Sequence, residues 1–191
     1  MTDQLKELDR QTLYLNLLLT QGILLCAGII LSLFVHGGQG SWLLFRFPGW
    51  KAMTFAVGAA AAIAALSLLL EQILPKRWLD DGELNRRIFH GLSLWRTALL
   101  CGVVGLSEEW LFRGVIQPLA GNLLTSLAFT LIHFRYLRKP FLSVTVFLMS
   151  LVLGWLFQSA QSLLVPITAH SLFDFFMALS IQYRPSREGD G

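Results

Sequence analysis

Glu108, Glu109 and Arg113 stand within "LSEEWLFRG", Leu106 to Gly114, in a stretch that is otherwise almost wholly apolar. Carboxylates can take a proton from water, and a guanidinium stays charged in any protein setting. Glu109 and Arg113 are four positions apart, so on a helix they share a face and can neutralise one another, the planar fork of Arg113 fixing the carboxylate's orientation. Glu108 is rotated by about 100° toward another face and has no cation within local reach. Two more polar sites recur in apolar surroundings: His133 follows "AFTLI", and "AHSLFDF" sets His170 and Asp174 four apart on one helical face. Taken singly, His133 reads as a histidine bonded across helices, and Glu109 with Arg113 as a packing network. Taken together, Glu, His, His and Asp from three apolar segments are the parts of a water-activating hydrolytic site or of a metal site.

The elements that must position these groups are transmembrane. The chain has 191 residues, 54% hydrophobic and 14% charged, with mean hydropathy +0.59, well outside the balance of a soluble domain. No Asp, Glu, Lys or Arg occurs between Arg10 and Arg46, Lys51 and Glu71, Arg113 and Arg135, or Lys139 and Asp174. A bilayer span takes roughly 20 apolar residues, and these intervals supply them. The pattern predicts an all-α, polytopic bundle with helices at about Leu13 to Val35, Met53 to Leu74, Leu94 to Gln117, Asn122 to Phe134, Phe141 to Phe157 and Leu163 to Ile181.

The fourth segment would rise only about 20 Å as a helix, against ~30 Å of hydrocarbon. It is expected not to face lipid along its whole length and, among other helices, to start below the surface and leave room for water above it, with Pro118 and Gly121 marking the turn into it. "QGSWLLFRFPGW", Gln39 to Trp50, interleaves aromatics with Gly and Pro as an interfacial belt does; a substrate-entry lip is the alternative. Glu83 to Arg96 carries Leu84, Ile88, Leu92 and Trp95 at helical spacing and predicts an amphipathic helix on the cytoplasmic surface. His90 then reads as an interfacial side chain, and His36, beside Gly37 and Gly38, as a loop residue.

An amino terminus in the cytoplasm puts Lys6, Arg10, Lys76, Arg77, Arg86, Arg87, Arg135, Arg138, Lys139, Arg184 and Arg187 inside, and only Arg46 and Lys51 outside. That asymmetry predicts a multi-pass integral membrane protein with both termini cytoplasmic. The basic excess, pI ≈ 9.1, is thereby assigned to cytoplasmic loops, and no nucleic-acid partner is expected. The first apolar run is long and lacks a small-residue cleavage site, which predicts a permanent helix. Cys26 and Cys101 lie inside apolar runs and read as small core residues, not a disulfide framework. One membrane-embedded domain, 1–191, is expected.

Three motifs occur in order on separate apolar segments: "EEWLFR" fits E-E-x-x-x-R, "FTLIH" fits F-x-x-x-H, and "HSLFD" fits H-x-x-x-[N/D]. In them the chain resembles the CPBP group of intramembrane proteases, which includes the type II CAAX prenyl endopeptidase and Abi-like bacterial proteins linked to bacteriocin self-immunity. The resemblance covers 94–181, the catalytic core of that group. It implies that Glu108 is the general base that takes a proton from water and that His133 helps to hold that water. Glu109 would brace the site through Arg113, while His170 and Asp174 would face the scissile carbonyl and stabilise the developing oxyanion.

The chain departs from the group at Asp174, where an Asn is common and an amide N–H can donate. An ionised Asp only accepts. Either Asp174 is protonated in its apolar setting, or, the favoured reading, it accepts from one ring nitrogen of His170 and fixes the tautomer that donates with the other. Two histidines and a carboxylate, Glu108, His133 and His170, also make a zinc-type set, although the helical H-E-x-x-H signature is absent. Either no cofactor or a divalent metal such as zinc fits the residues. The expected partners are the lipid bilayer and a hydrophobic or lipidated peptide, or a membrane-protein substrate. A non-catalytic immunity or scaffold protein whose polar cluster locks helices together is the competing reading. A proton-relay transporter is disfavoured because the chain has no paired halves.

Overall fold

Charge-free runs of Leu, Ala, Val and Phe satisfy their backbone hydrogen bonds in lipid only as helices, and the charge-free runs of this chain are helical. The computed structural model describes residues 9–75, 78 and 84–183. In order, α1 is Arg10–Leu43, α2 Trp50–Ile73, α3 Leu84–Phe89, α4 Leu94–Leu111, α5 Gln117–Ile132, α6 Pro140–Ala160 and α7 Leu164–Gln182. Between α4 and α5 the helix widens into a π turn, Phe112–Ile116, where the Gln117 N–H reaches five residues back to the Phe112 carbonyl. No strand occurs among the described residues, so the all-α expectation holds.

Among the described residues, five helical stretches are long and apolar enough to cross a membrane: Arg10–Gly38, Trp50–Ile73, Leu94–Ile132, Pro140–Ala160 and Leu164–Gln182. The third is 39 residues long and turns back on itself. The Phe112 and Phe129 ring centroids are 4.9 Å apart, whereas a continuous helix would separate them by about 25 Å. The reversal is at Gly121, whose φ of 76° and ψ of 167° suit a residue without Cβ. The fourth helix expected from the sequence is thus the return limb, 122–132, of this hairpin. A second reversal, at Gly37 with φ 70°, was not foreseen. It brings the Ser41 hydroxyl to the Ser32 carbonyl at 2.9 Å, nine residues back along the chain.

Burial is inverted relative to a soluble bundle. Phe34, Ile73, Leu119 and Leu131 are 82, 78, 71 and 62% exposed, while Arg113 and Glu109 are among the largest fully buried side chains. An apolar exterior around a polar interior is the arrangement a bilayer demands.

Hydrogen bonds define the two ends of the bundle. At one end, Arg10 donates to the His90 carbonyl at 2.6 Å, Tyr14 to the Ile88 carbonyl, Asn85 to the Tyr136 hydroxyl at 3.3 Å, and Gln182 to the Phe89 carbonyl at 2.9 Å. At the other, the Leu163 N–H donates to the Leu44 carbonyl at 2.7 Å. The predicted amphipathic helix is shorter than expected, because α3 ends at Phe89. Leu84, Ile88 and Leu92 pack inward on Leu13 and Leu100, and His90 and Trp95 are exposed. Of the expected aromatic belt, Trp42 and Trp50 are 70 and 77% exposed, while Phe45 packs edge-on against Trp110 at 4.6 Å. Lys6, Lys76, Arg77, Glu83, Arg184 and Arg187 lie outside the described residues.

The return limb is hooked onto α6 at Gly154. Asn122 donates to the Leu151 carbonyl and Gln117 to the Gly154 carbonyl, each at 2.9 Å. A Cβ on Gly154 would stand 1.8 Å from the Asn122 Oδ1 and 2.7 Å from the Gln117 Oε1. Gly154→Ala is therefore expected to expel Asn122 and to lower stability by about 1–3 kcal/mol, the usual range for overpacking. Thermal unfolding in detergent measures this, and an unchanged melting temperature would show that the hook is not closely packed.

Candidate active site

The site is assembled by α1, α4, α5 and α7. Leu13 packs on Leu100, Gln21 reaches Glu108 and Gly28 lies against Leu111, so α1 and α4 run parallel and in register. In the π turn that follows, the Gly114 carbonyl, whose α-helical partner would be the N–H that Pro118 lacks, accepts from His36 Nε2 at 2.6 Å. This corrects the reading of His36 as a loop residue: it is a half-buried helical donor to the turn that carries Arg113. Such widened turns recur at functional sites.

Glu109 is fully buried and divides its two oxygens. Oε2 accepts from Arg113 Nε at 2.9 Å and Oε1 from His170 Nδ1 at 2.9 Å. Arg113 is held in turn by the Ser150 hydroxyl at 2.8 Å and by Gln117 Oε1 at 3.5 Å, and its guanidinium lies over the Phe129 ring at 5.5 Å. The pairing of Glu109 with Arg113 on one face is as the spacing predicts. The contact with His170 was not predicted. Nδ1 of His170 carries the proton donated to Glu109, so Glu109 holds the ring at that nitrogen. His170 Nε2 then faces Asp174 Oδ2 at 3.5 Å and Glu108 Oε2 at 4.0 Å.

Glu108 is 6% exposed. Its Oε1 accepts from Gln21 Nε2 at 3.2 Å, and its buried Oε2 accepts no hydrogen bond among the described residues. Asp174 is the most open member of the group, with its side chain 29% exposed. Glu108, His170 and Asp174 therefore converge. His133, at the end of the return limb, stacks on Phe129, which also meets His170: the His133 and Phe129 rings are 4.7 Å apart, and the Phe129 and His170 rings 6.0 Å. His133 Nδ1 donates to the Phe129 carbonyl at 2.7 Å, and Tyr136 stacks on its other face at 6.1 Å and 15°. That leaves Nε2 as its free acceptor.

The alternative ligand set of Glu108, His133 and His170 does not assemble. Among the described residues no group of three or more His, Cys, Asp or Glu side chains is placed to hold a metal ion. Phe129 touches both histidine rings, and both nitrogens of His170 are directed at carboxylates. The arrangement does not fit a metal.

Polar partners that the sequence reading passed over are Gln21, Ser107, Gln117 and Ser150, all buried. Their signal was present: each is a polar side chain inside an apolar span, where such groups need partners.

Residues 90–176, which hold every member of the cluster except Gln21 and His36, match the family described as type II CAAX prenyl endopeptidase Rce1-like. The "Uncharacterized protein YpbD" of Bacillus subtilis (strain 168) is 30% identical over 170 residues, 88% of this chain and 90% of that protein. The chain belongs to the Rce1-like family. No solved structure matches it. Membership of this protease family, with five helices among the described residues able to span a bilayer, makes the chain an integral membrane protein of CAAX-protease-like type.

Proposed function

We propose that the chain is an intramembrane endopeptidase that hydrolyses a peptide bond with a water activated by Glu108, its catalytic core spanning 94–181. The observation that carries this reading is the unbonded Glu108 Oε2, buried and 4.0 Å from His170 Nε2. One water lying ~2.8 Å from each atom bridges that gap. Glu108 takes a proton from this water as its oxygen bonds to the scissile carbonyl carbon, and His133, whose ring stacks on Phe129 beside the cluster, helps to hold it through Nε2. The carbonyl oxygen gains negative charge beside His170 Nε2, which donates to it in the imidazolium form, with Asp174 orienting that proton. The C–N bond then breaks, and Glu108 returns its proton to the leaving amine.

Support for a hydrophobic or lipidated substrate comes from the depth of the cluster within apolar helices and from the family description. In proteoliposomes the protein is expected to cleave a quenched fluorogenic peptide ending in a farnesylated CAAX sequence, or its unlipidated hydrophobic counterpart. Recovery of both peptides intact would remove the peptidase reading in favour of a structural role for the cluster.

Both termini are proposed to face the cytoplasm. Arg10, Arg86, Arg87, Arg96, Arg135, Arg138 and Lys139 gather at the end carrying α3, and Arg46 and Lys51 lie at the other. With Cys26 and Cys101 replaced by Ala, Arg46→Cys is expected to react with an impermeant maleimide in intact cells, and Arg138→Cys only after lysis. The reverse pattern would invert the topology.

A further inference from the structure

Gln21 lies midway along α1 in the run "NLLLTQGILLC" and is 4% exposed. An amide in such a place must find partners, and it finds two on α4. Its Oε1 accepts from the fully buried Ser107 hydroxyl, and its Nε2 donates to Glu108 Oε1 at 3.2 Å. The order of these bonds matters. Because an ionised carboxylate can only accept, the end of the amide that meets Glu108 is the N–H end, and the oxygen end is the one that faces the Ser107 hydroxyl. Ser107 is itself anchored, within 2.8 Å of the Val103 carbonyl, and Gly28, two turns beyond Gln21, lies 3.2 Å from the Leu111 backbone N measured from its would-be Cβ. Neither helix can slide without losing the contact.

The result is an asymmetric carboxylate: Oε1 is tied to α1 while Oε2 points at His170. We infer that Gln21, set by Ser107, is a positioning residue that fixes the Glu108 carboxylate so that Oε2 is the oxygen presented to water. This rests on reading Glu108 as the base. Interhelical hydrogen bonds between membrane helices contribute little to stability on average, so a purely structural Gln21 offers no reason for turnover to depend on it. A positioning Gln21 does, because a small misplacement of a reacting group costs on the order of 100-fold in rate.

The test uses the full chain in proteoliposomes with the farnesylated peptide described above. Gln21→Leu is expected to lower kcat by about 10- to 100-fold with KM and melting temperature unchanged. Gln21→Glu, which sets a carboxylate against a carboxylate, is expected to lose at least as much. In a Glu108→Gln background, Gln21→Leu should change nothing further. An independent readout is infrared spectroscopy. The carboxylate stretch identified by its loss in Glu108→Gln should move in Gln21→Leu. An unchanged kcat or an unmoved band overturns the inference and leaves Glu108 as the base. A fall in melting temperature with undiminished kcat per folded molecule makes Gln21 structural and also overturns it. Full cleavage by Glu108→Gln, or no cleavage by the unaltered protein, overturns both this inference and the reading on which it rests.

Discussion

Glu108→Gln is expected to reduce kcat by about 10²- to 10⁴-fold, the range in which general bases contribute, while the protein accumulates in membranes as before. The two halves of this expectation have separate causes. Gln keeps an oxygen able to accept from Gln21 Nε2, so the interhelical bond survives. The atom replaced at the other position, Oε2, accepts no hydrogen bond among the described residues, so no internal partner is stranded. What disappears is the lone pair that removes a proton from water. Steady-state kinetics on the fluorogenic peptide, normalised to folded protein by size-exclusion chromatography, measure the effect. Undiminished turnover would transfer the role of base to another group.

Arg113→Met is expected to behave in the opposite way, failing first in folding. Arg113 and Glu109 are both inaccessible to solvent, and removing one partner of a buried ion pair costs about 3–5 kcal/mol because the other charge is left behind. Here the stranded carboxylate also holds His170, and the Ser150 hydroxyl and Gln117 lose the guanidinium they contact. Adding Glu109→Gln should restore much of the stability, since Gln Oε1 still accepts from His170 Nδ1 and neither member of the ion pair is left charged without the other. The fraction of monodisperse protein in detergent and its melting temperature report both steps. Normal accumulation of the single variant would mean that the ion pair is far more hydrated than its burial indicates.

Helical period was enough to pair Glu109 with Arg113 and to place His170 with Asp174, because those relations are local and fixed by 3.6 residues per turn. The turn at Gly121 was equally readable, since Pro118 and Gly121 interrupt an apolar pattern otherwise fit for one long helix. Contacts between helices were not readable in the same way. Gln21 meets Glu108 across 87 positions of sequence, and nothing in the spacing says which azimuth of α1 faces α4. The partner of His170 Nδ1 was missed for the same reason: an i,i+4 neighbour was visible, and Glu109, 61 positions away, was not. The bend at Gly37 was hidden because "VHGGQG" reads equally well as the end of a helix.

The widened turn at Phe112–Ile116 acts as a phase shifter. An extra residue in one turn advances the helix by about 100°, so the stretch before it addresses α1 and α7 while the stretch after it addresses α6. Shortening this turn by one residue would restore ordinary pitch and swing Gln117 away from Gly154, uncoupling the hairpin that carries His133 from the carboxylates upstream. Length variation among relatives should therefore be excluded from these five positions even where their side chains are free to vary.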